Sequence, residues 1–145
     1  MTGLVAGLRP RDIEIGQSAR FEHRVTDDDL DRYAALTGDI SPLHMDAHFA
    51  RSRGFRGRVA HGTFLAGLVS RLFGVHLPGR DCVLHSMSVK WVAPACVGDR
   101  VVVVATVTQI SVEAAAMAAE LTITLAETGA VLAKGKVQAG FTGSD

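Results

Sequence analysis

The stretch Gly62-Thr-Phe-Leu-Ala-Gly-Leu-Val-Ser-Arg-Leu-Phe73 decides how the rest of the chain must be arranged. Leu65, Leu68, Val69, Leu72 and Phe73 put apolar side chains on nearly every side of a helix, with the small residues Gly62, Ala66 and Gly67 between them. A helix that is apolar all round has to be wrapped by other structure. Glycine in a helix interior costs about 1 kcal/mol relative to alanine, so Gly67 predicts close approach by another backbone.

Beyond Pro78 and Gly79 the pattern turns to strands, expected over about 81–92, 99–108, 115–125 and 131–141, with Gly98-Asp99 and Thr128-Gly129 as punctuation. Short turns between consecutive strands predict antiparallel hairpins. Before the helix, residues 17–25 alternate loosely and read as a first strand. Thr26 followed by Asp27, Asp28 and Asp29 is a helix start, since a hydroxyl and acids satisfy free N–H groups at the positive dipole end. That helix should run to Thr37 and stop at Gly38. Pro42 removes a donor and extends Ser41, so 38–42 is not helical. A short helix is expected over about 46–50, and a Gly- and Arg-rich loop over 51–58. One long buried helix ahead of a run of antiparallel strands is α+β segregation. A curved antiparallel sheet wrapped around a central helix, the hot-dog architecture, fits this order.

The 145 residues suit a single core, so one domain over 1–145 is expected. With 48% apolar and 21% charged residues the composition is that of a folded chain. Fifteen basic residues balance fifteen acidic ones, which gives no basic face for a nucleic-acid partner. No window approaches the roughly 20 apolar residues that span a bilayer, and the N-terminus lacks a basic region ahead of an apolar one. Cys82 and Cys96 form no C-x-x-C pair and read as small core residues of a reducing compartment. A cytoplasmic protein is expected.

Chemistry concentrates in Tyr33-Ala-Ala-Leu-Thr-Gly-Asp-Ile-Ser-Pro-Leu-His44. Asp39 and His44 flank a proline-stiffened bend, which can turn a carboxylate and an imidazole onto one point and hold a water between them. Histidine can take a proton at neutral pH, and a carboxyl withdrawn from water holds its proton more tightly. Positioned proton transfer of this kind supplies roughly 10²–10⁴-fold in rate.

The pattern Tyr-x-x-Leu-Thr-Gly-Asp-x-Ser-Pro-Leu-His-x₅-Ala resembles the hydratase-2 motif of the MaoC-like (R)-specific enoyl-CoA hydratases. The resemblance continues through Val59-Ala-His-Gly-Thr63 and through Val89-Lys-Trp-Val-Ala-Pro-Ala-Cys-Val-Gly-Asp99. It implies that Asp39 and His44 activate the water that adds across a trans-2-enoyl thioester, giving the (R)-3-hydroxyacyl thioester without a cofactor; coenzyme A or phosphopantetheine belongs to the substrate. It also implies that the Gly62 amide, at a helix N-terminus, stabilises the enolate oxygen, and that Ser70 lies near the substrate. Ser41 departs from the asparagine usual in the family and has one hydroxyl where that residue has a paired donor and acceptor. Family likeness further implies a homodimer joined sheet edge to sheet edge, with its sites near the interface.

His61 is expected to shape the start of the central helix, with a third acid–base role as the alternative. His44 and His48 stand i, i+4, yet Met45 occupies the place where a zincin has glutamate, and no metal site is expected. Arg51, Arg53, Arg56 and Arg58 crowd the segment after the motif and could attract the phosphates of coenzyme A or of a carrier's phosphopantetheine, with Lys90 as a weaker partner. Three further readings stay open: dehydration or double-bond isomerisation on carrier-bound fatty-acid or polyketide intermediates, a non-catalytic acyl-thioester-binding subunit, and a thioesterase.

Overall fold

The computed structural model describes residues 4–143; the outermost residues of the expected 1–145 domain lie outside them. Five strands form one antiparallel sheet: β1 (Ser18–Arg24), β2 (Cys82–Trp91), β3 (Arg100–Ser111), β4 (Ala116–Leu125) and β5 (Val131–Phe141), in spatial order β1-β3-β4-β5-β2. Four helices accompany them: α1 (Asp27–Thr37), α2 (Pro42–Met45), α3 (Ala47–Ser52) and α4 (Gly62–Arg71). The expected strand and helix positions hold to within a few residues.

Alternation explains how the sheet wraps α4. On β3, Val101, Val103, Ala105 and Val107 point inward, and on the paired β4 so do Ile123, Leu121, Ala119 and Met117. They bury Leu65, Leu68, Val69, Leu72 and Phe73 of the helical segment in a single apolar cluster. Gly135 lets β5 lie close to β2, because a Cβ there would stand 1.9 Å from the Ser88 carbonyl oxygen. Helix α1 starts as its sequence requires: Thr26 Oγ1 accepts the Asp29 N–H at 3.1 Å and Asp29 accepts the Thr26 N–H at 3.0 Å, a reciprocal cap. Gly38 closes the helix in the left-handed region at φ 78°.

Several expectations need correction. The segment from β2 to β3 is not a hairpin: β2 pairs with β5 at one border of the sheet, while β3 lies between β1 and β4. The Gly98-Asp99 turn instead docks on the end of β1, with Gly98 N–H donating to Val25 and Val25 N–H to Asp99. Within the chain α4 is not wrapped all round, since Thr63, Gly67 and Ser70 form an exposed stripe. Nothing lies within 4 Å of where a Gly67 Cβ would be, so no backbone approaches it there. The α-helix also ends at Arg71, and a wider π turn continues through Leu72–His76.

Candidate active site

The bend after α1 and the one-turn helix α2 bring the two motif side chains together. Pro42 supplies the fixed φ of α2's first position and has no amide hydrogen to leave unpaired. His44 therefore sits in a helical turn, not in a loop. Asp39 takes a tight local bend: its N–H donates to Thr37 Oγ1 at 3.2 Å, and its Oδ1 accepts the Ser41 N–H at 3.4 Å. A carboxylate oxygen of Asp39 and one ring nitrogen each of His44 and His61 lie within 4.8 Å of one another. Asp39 is exposed, not partly buried as the sequence argument assumed.

The state of the His44 ring follows from its partner. Nδ1 lies 2.7 Å from the carbonyl oxygen of Val59. A carbonyl only accepts, so Nδ1 carries a hydrogen, and Nε2 is the nitrogen left to exchange a proton. His61 is buried, stacked on His44 with ring centroids 4.0 Å apart and flanked by Tyr33 at 4.6 Å. Its Nε2 donates to the Asp39 carbonyl oxygen at 3.0 Å. Burial pushes the His61 pKa down; the bond to Asp39 opposes this, and nearby His44 adds to the lowering. Burial thus disfavours the charged form of the His61 ring.

These groups line a cavity of about 580 Å³, whose apolar walls include Leu43, Phe55, Val59, Leu65, Trp91 and Val92. The amides of Gly62 and Thr63 open α4 into it. The Phe64 and Leu65 N–H groups bond to the His61 carbonyl, whereas those of Gly62 and Thr63 have no acceptor within the helix, as expected in a first turn. Glycine at position 62 has a packing reason as well: a Cβ there would stand 3.1 Å from Cε2 of Trp91.

Of the other expected site residues, Ser41 and Arg58 touch this bend and the rest lie elsewhere. Ser41 is exposed, and its backbone amide, not its hydroxyl, contacts Asp39. Ser70 is exposed eight residues along α4, roughly 12 Å from Gly62 at 1.5 Å per residue. Arg51 Nε donates to the Arg56 carbonyl oxygen, and Arg53 lies over the Phe49 ring; both face solvent. Arg56 forks onto Asp99 at 2.9 and 2.7 Å. Arg58 is withdrawn into the protein and touches the α2 turn at the His44 carbonyl oxygen. Lys90 lies in a different depression, beside Lys134 and Lys136. The Val59 carbonyl, Trp91 and the apolar wall were not anticipated; a backbone acceptor has no side-chain signature to read.

Comparisons with known proteins identify the family. The model of the MaoC like domain matches residues 12–129. Over 97 residues, 67% of each chain, the protein is 36% identical to an (R)-specific enoyl-CoA hydratase of Rhodospirillum rubrum. It is also 36% identical over 88 residues to a 3-hydroxybutyryl-CoA dehydratase of Methylorubrum extorquens, covering 61% of this chain and 56% of that protein. An (R)-hydratase of Aeromonas caviae involved in PHA biosynthesis superposes with a TM-score of 0.86 at 30% identity, covering 91% of this chain and 99% of that one. The chain belongs to the MaoC-like family and has its hot-dog fold.

Proposed function

We propose that this protein reversibly hydrates trans-2-enoyl thioesters to (R)-3-hydroxyacyl thioesters, with Asp39 and His44 as its acid–base pair. The observation that carries the reading is the Asp39 carboxyl and the His44 ring, its Nδ1 spent on Val59, converging within 4.8 Å in the lining of a largely apolar cavity. In hydration, His44 Nε2 takes a proton from water as the water oxygen bonds to C3. The C2–C3 π electrons shift toward the thioester carbonyl, giving an enolate. The Gly62 N–H, beside the positive end of α4, donates to that oxygen; such a donor is worth roughly 2.7–4 kcal/mol in comparable sites. The Asp39 carboxyl then relays that proton from the imidazolium to C2, which leaves both side chains as they began. Dehydration runs the same steps backwards.

Neither metal nor cofactor is needed, because side chains supply both proton acceptor and donor. The substrate is an acyl thioester of coenzyme A or of a carrier protein, and solvent-facing Arg51 and Arg53 are available to its phosphates. The 145 residues act as one catalytic domain in the cytoplasm, where the unpaired Cys82 and Cys96 would stay reduced. Two copies pair through a sheet border. In support, β2 ends the sheet and carries half-exposed Val83 and Trp91, while Leu36 and Ile40 beside Asp39 are 84% and 72% exposed. Such apolar surface around a reacting carboxyl calls for a cover.

The test is loss of enoyl absorbance from crotonyl-CoA, with chiral analysis of the product. A matched carrier-linked crotonyl substrate separates the two thioester classes. Thiol release without hydration would favour a thioesterase, and binding without turnover a non-catalytic subunit.

A further inference from the structure

We propose that Arg58 is a positioning residue that fixes the orientation and tautomer of His44 and sets its spacing from Asp39; the proposal rests on the acid–base reading above. Its side chain is only 10% exposed, and its fork is fully engaged. Nε donates to the backbone carbonyl of His44 at 2.7 Å. One terminal nitrogen reaches Asp27 at 2.9 Å, and the other reaches Asp31 at 2.7 Å and the Met45 sulfur at 3.5 Å. The next residue completes the grip: the Val59 carbonyl accepts His44 Nδ1–H at 2.7 Å, and the Val59 N–H donates to Leu43 at 3.1 Å.

Residues 58 and 59 thus hold the α2 turn by the backbone carbonyls of Leu43 and His44 and by the imidazole itself. The same guanidinium grips Asp27 and Asp31, one turn apart on α1, the helix that leads into Asp39. One side chain therefore ties the segment carrying the base to the element carrying the acid. Its own backbone is pinned by the returning segment, where Val97 N–H donates to the Arg58 carbonyl at 2.9 Å. A planar fork can span three such acceptors at once, whereas the single ammonium of lysine cannot. A guanidinium with its donors spent inside the protein is also poorly placed to hold a substrate phosphate.

The test uses Arg58→Lys, Arg58→Met and the double variant Asp27→Asn/Asp31→Asn in the full chain. Its readouts are kcat and KM for crotonyl-CoA, and the ¹⁵N shifts of the His44 ring, assigned by their loss in His44→Gln. We expect kcat to fall about 10-fold or more in Arg58→Lys, as small misplacements do, with KM within about twofold, and the His44 shifts to move toward a mixture of tautomers. Asp27→Asn/Asp31→Asn should lie between Arg58→Lys and wild type; the exposed sites make it safe for folding if Arg58→Met fails. A raised KM with kcat intact would mean phosphate binding and overturn the proposal, as would unaltered His44 shifts and kcat in folded Arg58→Lys. The ¹⁵N arm needs no turnover, so a wild-type protein that hydrates nothing would sink the acid–base reading while leaving control of His44 by Arg58 separately measurable.

Discussion

His44 Nδ1 donates to the Val59 carbonyl oxygen across 2.7 Å, and this bond decides which imidazole nitrogen can act as a base. It also fixes what replacement of the ring should do. His44→Asn keeps, near the place of Nδ1, an amide that can donate to Val59 but offers no group able to take a proton from water. Hydration should fall by at least about 10²-fold, with the thermal midpoint close to that of wild type. His44→Ala should lose as much activity. Near-normal rates in either variant would move the base elsewhere.

Asp39 offers a cleaner substitution. It is exposed, so Asp39→Asn disturbs no packing, and its bonds with Thr37 and Ser41 involve a backbone amide and an oxygen that asparagine also has. Loss of about 10²-fold or more in hydration with an unchanged melting curve is the expected outcome. A fully active Asp39→Asn enzyme is incompatible with proton delivery from this carboxyl.

How much of this was readable in advance depends on how local each signal is. Thr26 and Gly38 act on their immediate neighbours, and both ends of α1 fall where those residues place them. Alternating valines on β3 carry their facing with them. The Gly98-Asp99 turn looks like a hairpin turn by composition, yet Asp99 is occupied by the Cys96 N–H and the Arg56 fork, contacts spanning 3 and 43 residues. No turn rule contains the second. In the site, Asp39 and His44 stood out because carboxyl and imidazole are chemically conspicuous. Arg58 was equally conspicuous but its charge suggested phosphate, because its true acceptors are two carboxylates of α1 and a backbone oxygen. Gly67 was misread for a related reason: its cost in a helix is intrinsic, whereas what stands beside it is not encoded nearby.

His61 should leave a mark on the pH dependence of folding. Burial, the largest influence, lowers its pKa from 6.5, and the neighbouring His44 adds to this against the bond with Asp39. Below about 6.5 the unfolded chain binds the proton that the folded chain refuses, so stability falls as pH drops through that range and is retained above it. Asp29 and Asp99 act lower on the scale. In both, burial raises the pKa but is outweighed, for Asp29 mainly by His23 and for Asp99 mainly by Arg56, so their contributions are lost only as pH falls below the ordinary carboxyl value of 3.8. Urea unfolding at pH 7.5 and 5.5 should therefore show a decline that is smaller in His61→Asn. An equal decline in both proteins would mean that His61 is freely protonated in the fold.

Gly62 and Trp91 should behave as one unit. A Cβ on residue 62 would stand 3.1 Å from Trp91 Cε2, closer than ordinary contact. Trp91 is 45% exposed, so its indole can shift outward by a few tenths of an ångström instead of unfolding the helix start. Gly62→Ala should consequently fold. Its main-chain N–H remains, so the proposed enolate donor survives and kcat should change less than KM, because the displaced ring lines the cavity proposed to take the thioester. Trp91→Leu should relieve the contact and leave Gly62→Ala with little further effect. Residues in contact couple by about 0.5–3 kcal/mol, and a double-mutant cycle on kcat/KM should fall in that range. The protein has a single tryptophan, so its emission follows the ring directly. Strict additivity of the two substitutions, with the emission of Gly62→Ala identical to wild type, would show that the indole does not respond to residue 62.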